Sequence, residues 1–370
     1  MLINYLTCAR ILTINSVKIL RKFKKRVFPV STGLFLFLIL TPFFVVDGHA
    51  RPLQNEKGEQ QAFNPGEMIM HHIGDDYSWH FATIGKTHIT IPLLIILYSN
   101  SGLDVFLSSK FQHGHATYKG YRLEKGHIIK EDGKKFFDIS ITKNVASMML
   151  SALLLCSVFL SVAKRYKKNK NKAPKGLQSL LEPIIIFVRD EIAIPMLGSK
   201  HQKYLPYLLT VFFFIWLNNL LGLLPGGANL TGNIAVTLTL AVITFVITNF
   251  SGNKHYWAHI FMPPGVPGWL LPLMILVEIV GIFTKPFALM IRLFANMTAG
   301  HMIILSIISL IFIFGQNNPW VGGAVSVVSV AFSVFMLCLE LLVATLQAYI
   351  FTILSSLFIS DAVAEPHEKS

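Results

Sequence analysis

An arginine in an apolar run is the first sign of chemistry in this sequence. Arg292 lies within FALMIRLFANMTAGHM (287–302), with Asn296 four residues and His301 nine residues further along. A charge at the centre of a bilayer costs about 2.5–3.5 kcal/mol on insertion scales, so such residues face protein or water and often mark ion pathways. A guanidinium stays protonated at any accessible pH, whereas a buried lysine can lose its proton. The run therefore predicts a site that needs a permanent positive charge.

Helical spacing groups the polar residues around Arg292 into two faces. Glu278, Lys285 and Arg292 follow one another at seven-residue intervals, so they share one face of a helix with a drift of about 20° per heptad. Asn296 comes one turn after Arg292 on that face. His301 lies roughly half a turn away, because nine residues at about 100° each amount to two and a half turns. We expect His301 to face a different neighbour from Arg292.

A second pair of polar residues occurs on the last apolar segment. Glu340 and Gln347 are also seven residues apart and share a face. Arg292 has no acidic residue three or four positions away, and the long interval between Glu278 and Lys285 allows only a loose pairing. The partner of Arg292 must come from another helix or another chain. Glu340 is the candidate within the last two helices.

The composition places these residues in a membrane protein. The chain has 370 residues, of which 53% are hydrophobic and 14% are charged, compared with about 25% charged in an average soluble protein. The net charge of +13 is concentrated in basic segments such as 164–175. That run follows an apolar helix directly, so we interpret it as a cytoplasmic anchor rather than a nucleic-acid site. Cys8, Cys156 and Cys338 have no ligand spacing, and the last two are expected to be buried in apolar surroundings.

The N-terminal part is predicted to be exported. The basic segment 21–26, the apolar segment 33–46 and the small residues up to Ala50 form the pattern of a cleaved signal peptide over 1–50. A retained signal anchor is the alternative. Residues 51–144 are predicted to form a small periplasmic region of mixed structure, with a β-hairpin turn at Asp132–Gly133. Its seven histidines match no metal-ligand spacing that we can support.

The membrane domain is predicted to span residues 145–360, with a cytoplasmic tail at 361–370. The fold class is all-α with about five transmembrane helices. Residues 177–198 carry four charges and are expected to form an interfacial helix. The break between the last two helices is placed at Gly315–Gly323. The predicted helices are 145–163, 177–198, 205–224, 233–251, 269–314 and 324–360.

The last two predicted helices are longer than a bilayer requires. At 1.5 Å per residue they extend about 55–70 Å, whereas the hydrocarbon core is about 30 Å thick. Each helix either breaks, for example at Lys285–Pro286, or lies steeply inclined. A break there would leave a first piece of only about sixteen residues, which is short for a span. We therefore favour two unbroken, inclined helices.

The segment GIFTKPFALMIRLFANMTAGHMI followed by ELLVATLQAYIF resembles subunit a of the F-type ATP synthase, the stator that conducts protons past the rotating c ring. The resemblance covers about residues 145–360 and includes WLNNLLGLLPG and NIAVTLTLA. Residues 51–144 are similar to a longer form found in bacteria of the Bacteroidetes type. The resemblance implies a multi-pass protein of the bacterial inner membrane. Its implied partners are the c ring, subunit b, other ATP synthase subunits and the lipid bilayer.

The resemblance also implies roles for individual residues. Arg292 matches the arginine that faces the ring carboxylates and separates two aqueous half-channels. His301 and Glu340 match a histidine and acid pair that suits a proton relay in the outer half-channel. Four further residues match polar channel positions of the family. Glu278 matches the position near the cytoplasmic exit, Asn296 and Gln347 match positions beside the arginine, and Asn219 matches one on an earlier span.

One position departs from the family pattern. The family often has an acid three residues after the position of Asn219, where this chain has Gly222. One polar group of the outer channel is therefore missing or supplied elsewhere. No cofactor, metal or nucleic acid is expected, and no GxxxxGK[ST] pattern occurs, so ATP handling must belong to partner subunits. The alternatives are a secondary ion-coupled transporter, although no internal repeat is visible, and an intramembrane metalloenzyme using His301 and Glu340, although HExxH is lacking.

Overall fold

A computed structural model shows a strand-rich N-terminal domain followed by a helical membrane domain. The predicted signal peptide lies outside the described residues, as do Cys8 and the end of the tail. Sidedness and cleavage therefore stay predictions. The structure describes Gly66 and residues 74–364, except 85–86, 100–101, 115, 125, 169–173, 175, 225–226, 264–265 and 318.

The N-terminal domain consists of antiparallel strands. Hairpins pair β1 with β2, β3 with β4, and β5 with β6, and β7 joins β3 to give a three-stranded sheet in the order β4-β3-β7. The strands are β1 (Ser78–Ile84), β2 (Thr87–Pro92), β3 (Leu94–Ser99), β4 (Gly102–Leu107), β5 (Tyr121–Glu124), β6 (His127–Lys130) and β7 (Phe137–Asp138).

Alternation along β3 and β4 builds a small core on one side of this sheet. Ile95, Leu97 and Phe106 point to that side and are almost fully buried. They pack with Phe111 and Tyr121 from the following segment, and the rings of Phe106 and Phe111 meet edge to face at 5.4 Å. Burial along β3 therefore alternates with the period of two expected for a strand that is covered on one side.

The predicted hairpin at Asp132–Gly133 is wrong in its pairing. A turn does occur there, with the Gly133 N–H donating to the Lys130 carbonyl at 3.0 Å and a φ of +65° at Gly133. The strands on either side of it, however, pair elsewhere: β6 pairs with β5, and β7 pairs with β3. The turn motif marks a change of direction, but long-range packing selects the strand partners.

The rest of the described chain is helical. An irregular stretch joins α2 to α4: a π-helical segment at Val188–Ala193, the short α3 and a 3₁₀ turn at Gly198–Lys200. The helices are α1 (Lys143–Lys168), α2 (Leu177–Phe187), α3 (Ile194–Leu197), α4 (His201–Gly222), α5 (Ile234–Phe250), α6 (Lys254–Phe261), α7 (Leu271–Asn317) and α8 (Pro319–Val363).

Helix α4 is the centre of the membrane domain. It has apolar side chains on all sides and packs against α1, α8 and the π-helical segment, which is the pattern of a helix buried in a bundle. Phe212, Phe213 and Phe214 are each less than 5% exposed, and Phe213 meets Phe159 of α1 at 4.9 Å. This packing fixes the position at which α4 ends beside the candidate site.

The two long helices are unbroken and antiparallel. Helix α7 continues through Pro286, so Lys285–Pro286 does not divide it. Contacts between the helices run in opposite directions along the chain, since Asn296 bonds Gln347 whereas His301 bonds Glu340. Their steep inclination to the membrane remains a prediction.

Several predicted boundaries need correction. Helix α7 extends to Asn317 and α8 begins at Pro319. The break between the two helices is therefore shorter than the predicted interval Gly315–Gly323 and lies inside it. Helix α8 continues to Val363, which removes three residues from the predicted tail. Cys156 and Cys338, which were expected to be buried, are exposed on the isolated chain. Uncharged helix positions can equally face lipid or other subunits, and the apolar pattern does not separate these cases.

The helices satisfy the expected count of spans. Within the described residues, four helical stretches are long and apolar enough to cross a membrane, and α5 with α6, which meet at a 102° bend, would make a fifth. The second of these stretches, Leu177–Gly222, includes the segment predicted to be interfacial together with α4. The predicted gap between those two elements is closed by the 3₁₀ turn.

Candidate functional site

His301 and Glu340 form a buried ion-pair contact between the two long helices. The Nδ1 atom of His301 lies 2.5 Å from Oε1 of Glu340, and the two side chains are 13% and 4% exposed. The sequence had placed His301 on the opposite face from Arg292, and the structure points it at both α8 and the end of α4. The second contact, between His301 Nε2 and the Gly222 carbonyl oxygen, measures 3.3 Å.

These two contacts determine where protons can reside. The Gly222 carbonyl can only accept a hydrogen bond, so Nε2 of His301 must carry the hydrogen in that contact. One further proton is then shared between Nδ1 and the Glu340 carboxylate. It can lie on either atom, giving imidazolium with carboxylate or neutral histidine with a protonated acid. The pair therefore has the arrangement of a proton relay, in which one proton can be held by either of two groups.

Gly300 makes the close approach of Glu340 possible. A Cβ atom at position 300 would lie 2.8 Å from Oε1 of Glu340 and 3.1 Å from its Cδ atom. Glycine inside a helix costs up to about 1 kcal/mol relative to alanine, and here it leaves room for the carboxylate against the backbone of α7. Gly222 is less restricted, because a Cβ there would meet only ordinary contacts, the nearest being 3.5 Å from the Ala228 oxygen.

Asn296 and Gln347 form a second bridge between the long helices. The Nδ2 amide of Asn296 donates to Oε1 of Gln347 at 2.8 Å, and Gln347 is only 2% exposed. The bridge lies one to two turns from the His301–Glu340 pair along both helices. The predicted common face of Asn296 and Arg292 thus runs along the edge of the α7–α8 interface.

Arg292 is exposed on the isolated chain, as is Asn296 one turn further along α7. No carboxylate of the described residues lies within 4.0 Å of its guanidinium, and Glu340, its predicted candidate partner in the last helices, is engaged by His301. Exposed alanines lie one turn before and one turn after Arg292, at Ala288 and Ala295, and Ala299 follows beyond the exposed Asn296. Small residues allow another helix to approach closely. The surface around Arg292 therefore combines an uncompensated charge with room for a neighbouring helix.

Asn219 is a buried connector between α4, α8 and the turn after α4. It is 0% exposed. Its Nδ2 donates to the Ala344 carbonyl at 3.2 Å, and its Oδ1 accepts from the Thr231 hydroxyl at 2.6 Å. Ala344 lies one turn from Glu340, so Asn219 fixes the position of α8 close to the relay pair.

Glu278 and Lys285 lie apart from this cluster and from each other. Glu278 faces α6, with Oε1 4.0 Å from Nδ1 of His259. Lys285 reaches the end of α8, where Nζ lies 3.4 Å from Asp361 and over the Phe358 ring. The loose Glu278–Lys285 pairing weighed from the sequence is therefore not formed. Among the described residues, no group of three or more His, Cys, Asp or Glu side chains is placed to hold a metal ion.

The structure brings together predicted site residues from different helices, which helical spacing within one helix could not do. His301 meets Glu340, Asn296 meets Gln347, and Asn219 adjoins α8, whereas Glu278 lies at a separate location. Gly300 and Thr231 were missed as supporting residues. An isolated glycine inside a helical pattern can have a packing reason, and Gly300 offered that signal in the sequence. Thr231 lies in a 3₁₀ turn between helices, so no helical periodicity placed it near Asn219.

Comparisons with known proteins agree with this architecture. The family model described as ATP synthase A chain matches residues 145–360, and a domain of unknown function matches residues 68–147. The ATP synthase subunit a 2 of Chlorobaculum tepidum is 41% identical over 86% of this chain and 79% of that protein. The corresponding protein of Prosthecochloris aestuarii is 40% identical over 93% of this chain and 98% of its own length.

A third relative, ATP synthase subunit a of Chloroherpeton thalassium, is 47% identical over 62% of this chain and 68% of that protein. The ATP synthase model covers all of the helices α1 to α8 except their outermost residues. On this evidence the chain is a multi-pass membrane protein that belongs to the ATP synthase A chain family.

Proposed function

We propose that this chain is the proton-conducting stator subunit a of an F-type ATP synthase, in which Arg292 faces the carboxylates of a rotating c ring. The observation that carries the proposal is the exposed, uncompensated guanidinium on an apolar helix. An unpaired charge in the hydrocarbon region costs about 2.5–3.5 kcal/mol, so its surface is expected to face a partner that supplies an anion. Membership of the ATP synthase family supports the c ring as that partner.

The fixed charge explains how the ring carboxylate would release its proton. A positive group within about 4–6 Å lowers the pKa of a carboxyl group and favours the ionised form. Each ring carboxylate would therefore lose its proton on approaching Arg292 and regain one after passing it. Because the guanidinium does not deprotonate, it also prevents protons from crossing directly between two aqueous half-channels.

The buried relay suits the outer half-channel. A proton arriving from outside would protonate the His301–Glu340 pair, which holds it in one of two adjacent positions, and would then pass to the ring. Asn219 maintains the position of α8 beside the pair. The Asn296–Gln347 bridge separates this pair from Arg292 and would line the route near the ring.

The inner half-channel is assigned to the other end of α7. Glu278 is partly exposed and lies beside His259, which is suitable for a proton exit to the cytoplasm. In this orientation residues 51–144 are periplasmic, the C-terminus is cytoplasmic, and the protein resides in the bacterial inner membrane. Subunit b and the other ATP synthase subunits are the further proposed partners, and the chain itself catalyses no bond chemistry.

Substitution of Arg292 tests the proposal. Arg292→Ala should leave an assembled complex that neither pumps protons on ATP hydrolysis nor makes ATP, and Arg292→Lys should also fail because an ammonium can lose its proton in an apolar site. The neighbouring exposed residue supplies the control, since Ile291→Ala changes the same surface without removing the charge and should retain pumping. ATP-coupled proton transport in the Arg292→Ala complex would show that the assignment is wrong.

A further inference from the structure

The N-terminal domain carries an uncovered apolar surface that the site above does not use. On the three-stranded sheet, every described side chain of the face opposite the core is apolar. Register places Tyr98 beside both Leu103 and Phe137, and Leu94 beside Leu107. We call this surface the outer sheet face, and its residues are Leu94, Ile96, Tyr98, Leu103, Val105, Leu107, Phe137 and Ile139.

The outer sheet face is strongly exposed on the isolated chain. Phe137 is 73% exposed, Leu103 61% and Tyr98 54%. The charged residue of β4, Asp104, points to the other side, where it pairs with Lys119 at 2.6 Å. A sheet that is apolar on both sides needs cover on both sides, and contiguous exposed apolar patches mark protein or membrane contact sites. Among the described residues, the core covers one side only.

The position of the sheet indicates what covers the other side. After β7 the chain stays bonded to β3, with the Ile141 N–H donating to the Leu94 carbonyl at 2.9 Å. Helix α1 begins two residues later, at Lys143. The sheet is therefore held at the end of a candidate membrane span. At 1.5 Å per residue, the uncharged residues 145–163 of α1 extend about 29 Å, which matches the hydrocarbon core of about 30 Å and leaves Lys143 and Asn144 at headgroup level.

A clamp fixes the domain at that level. The segment Gly74–Asp76 binds the first turn of α1 through three hydrogen bonds. The Lys143 N–H donates to the Asp76 carbonyl at 2.8 Å, the Lys143 ammonium to the Gly74 carbonyl at 2.9 Å, and the Asn144 N–H to the Asp75 carboxylate at 3.0 Å. The Tyr77 hydroxyl, next to this clamp, donates to the Asp138 carboxylate of β7. The sheet is therefore joined to the start of α1 both through the chain after β7 and through this segment.

The composition of the surface matches a lipid interface. Lys134 and Lys135 are exposed and lie three and two residues before Phe137, so basic side chains border the apolar face, as in proteins that lie in the headgroup layer. Tyr98 offers an apolar ring with a polar tip, which is favoured at membrane interfaces. Further along the chain, α1 continues the apolar exposure with Met149, Leu150 and Leu153.

We propose that the outer sheet face lies in the interfacial layer of the bilayer, next to the point where α1 enters it, and anchors the N-terminal domain as a membrane-bound sheet. The occupant is lipid, with anionic headgroups near the two lysines and acyl chains against the apolar side chains. The proposal rests on the multi-pass membrane architecture and is independent of the proton pathway.

Spin-label accessibility in the assembled complex tests this directly. A nitroxide is attached at Leu103→Cys or Phe137→Cys in a chain whose Cys8, Cys156 and Cys338 are replaced by serine. The complex is reconstituted in vesicles of phosphatidylethanolamine and phosphatidylglycerol. The matched control is Arg122→Cys on β5, whose charged side chain is 52% exposed.

Oxygen concentrates in the acyl region, whereas a water-soluble nickel chelate is excluded from it. We expect the ratio of oxygen to nickel accessibility to be severalfold higher at positions 103 and 137 than at position 122. A nickel accessibility equal to that of the control would mean that the face is in water and would overturn the proposal. Protection of both labels from both reagents would also overturn it, because it would identify a protein partner as the occupant. The two labelled positions provide independent readings if one variant assembles poorly.

Discussion

The replacement of Gly300 by alanine is the most specific perturbation of the proposed relay. The added Cβ would lie 2.8 Å from Oε1 of Glu340, 3.1 Å from Cδ and 3.3 Å from Cγ, whereas ordinary contacts begin at 3.4 Å. The carboxylate oxygen must therefore retreat by at least about 0.6 Å, the difference between 3.4 and 2.8 Å. Because three atoms of Glu340 are too close, rotation of the carboxylate alone does not relieve the contact.

The displacement changes the hydrogen bond more than the fold. Moved away from α7, the carboxylate would lengthen the 2.5 Å contact with His301 towards or beyond 3 Å, where proton sharing between the two groups is weaker. A misplacement of about 1 Å can cost about 10²-fold in rate, so a shift of about 0.6 Å is expected to reduce proton conduction roughly tenfold. Stability should not fall comparably, since alanine favours a helix over glycine by up to about 1 kcal/mol and the end of the Glu340 side chain is flexible.

A matched control is available on the same helix. Gly281→Ala makes the identical change in α7 at a position with no atom within 4 Å of the added Cβ. ATP-driven acidification of inverted vesicles, normalised to the amount of assembled complex, should be slow in Gly300→Ala and unchanged in Gly281→Ala. If both variants acidified vesicles at the same rate, the close packing of Gly300 against Glu340 would have no part in conduction.

Three further predictions concern contacts seen in the structure. Asn296→Leu and Gln347→Leu should each slow ATP-driven pumping. In the double variant the activation free energy of pumping should rise by less than the sum of the two single increases, because both changes remove the same 2.8 Å bond. Additive increases would contradict this. Exchanging the relay groups in His301→Glu with Glu340→His should restore more pumping than either single change retains, since the atoms are in direct contact, and no gain over the single variants would refute the relay. Asp75→Ala should speed hydrogen exchange in the first turn of α1 by removing a cap worth about 0.5–2 kcal/mol, whereas Asp75→Asn retains an acceptor oxygen and should exchange nearly as the original chain does.

Helical periodicity predicted the arrangement of the site where the helices are regular. The intervals between Arg292, Asn296 and His301 assigned them to distinct faces of α7, and the absence of a local acid indicated a partner from elsewhere. The structure adds that Glu340 contacts His301 and forms no ion pair with Arg292. Periodicity gives the angle of a side chain around its own helix, but it does not give the register between helices, which packing of the surrounding residues determines.

The N-terminal domain was less predictable for the same physical reason. The turn at Gly133 was visible in the sequence, whereas the pairing of β7 with β3 joins residues about forty positions apart and depends on the core formed by Ile95 and Leu97. The exposure of Cys156 and Cys338 also escaped prediction. Lipid-facing and core-facing positions are both apolar in a membrane helix, so hydrophobicity alone cannot separate them.

The most direct measurement is cross-linking of the surface around Arg292 to the ring. In a chain without its native cysteines, Ala295→Cys provides an exposed thiol one turn from Arg292, to be paired with a cysteine one turn from the ring carboxylate. The control thiol is Leu153→Cys on α1, where the side chain is 70% exposed. A disulfide forms only when the Cα atoms approach within about 7 Å. We expect an efficient cross-link from position 295, with loss of rotation-coupled ATP synthesis, and none from position 153. A ring that cross-links to position 153 but not to 295 would contradict the proposed placement of Arg292.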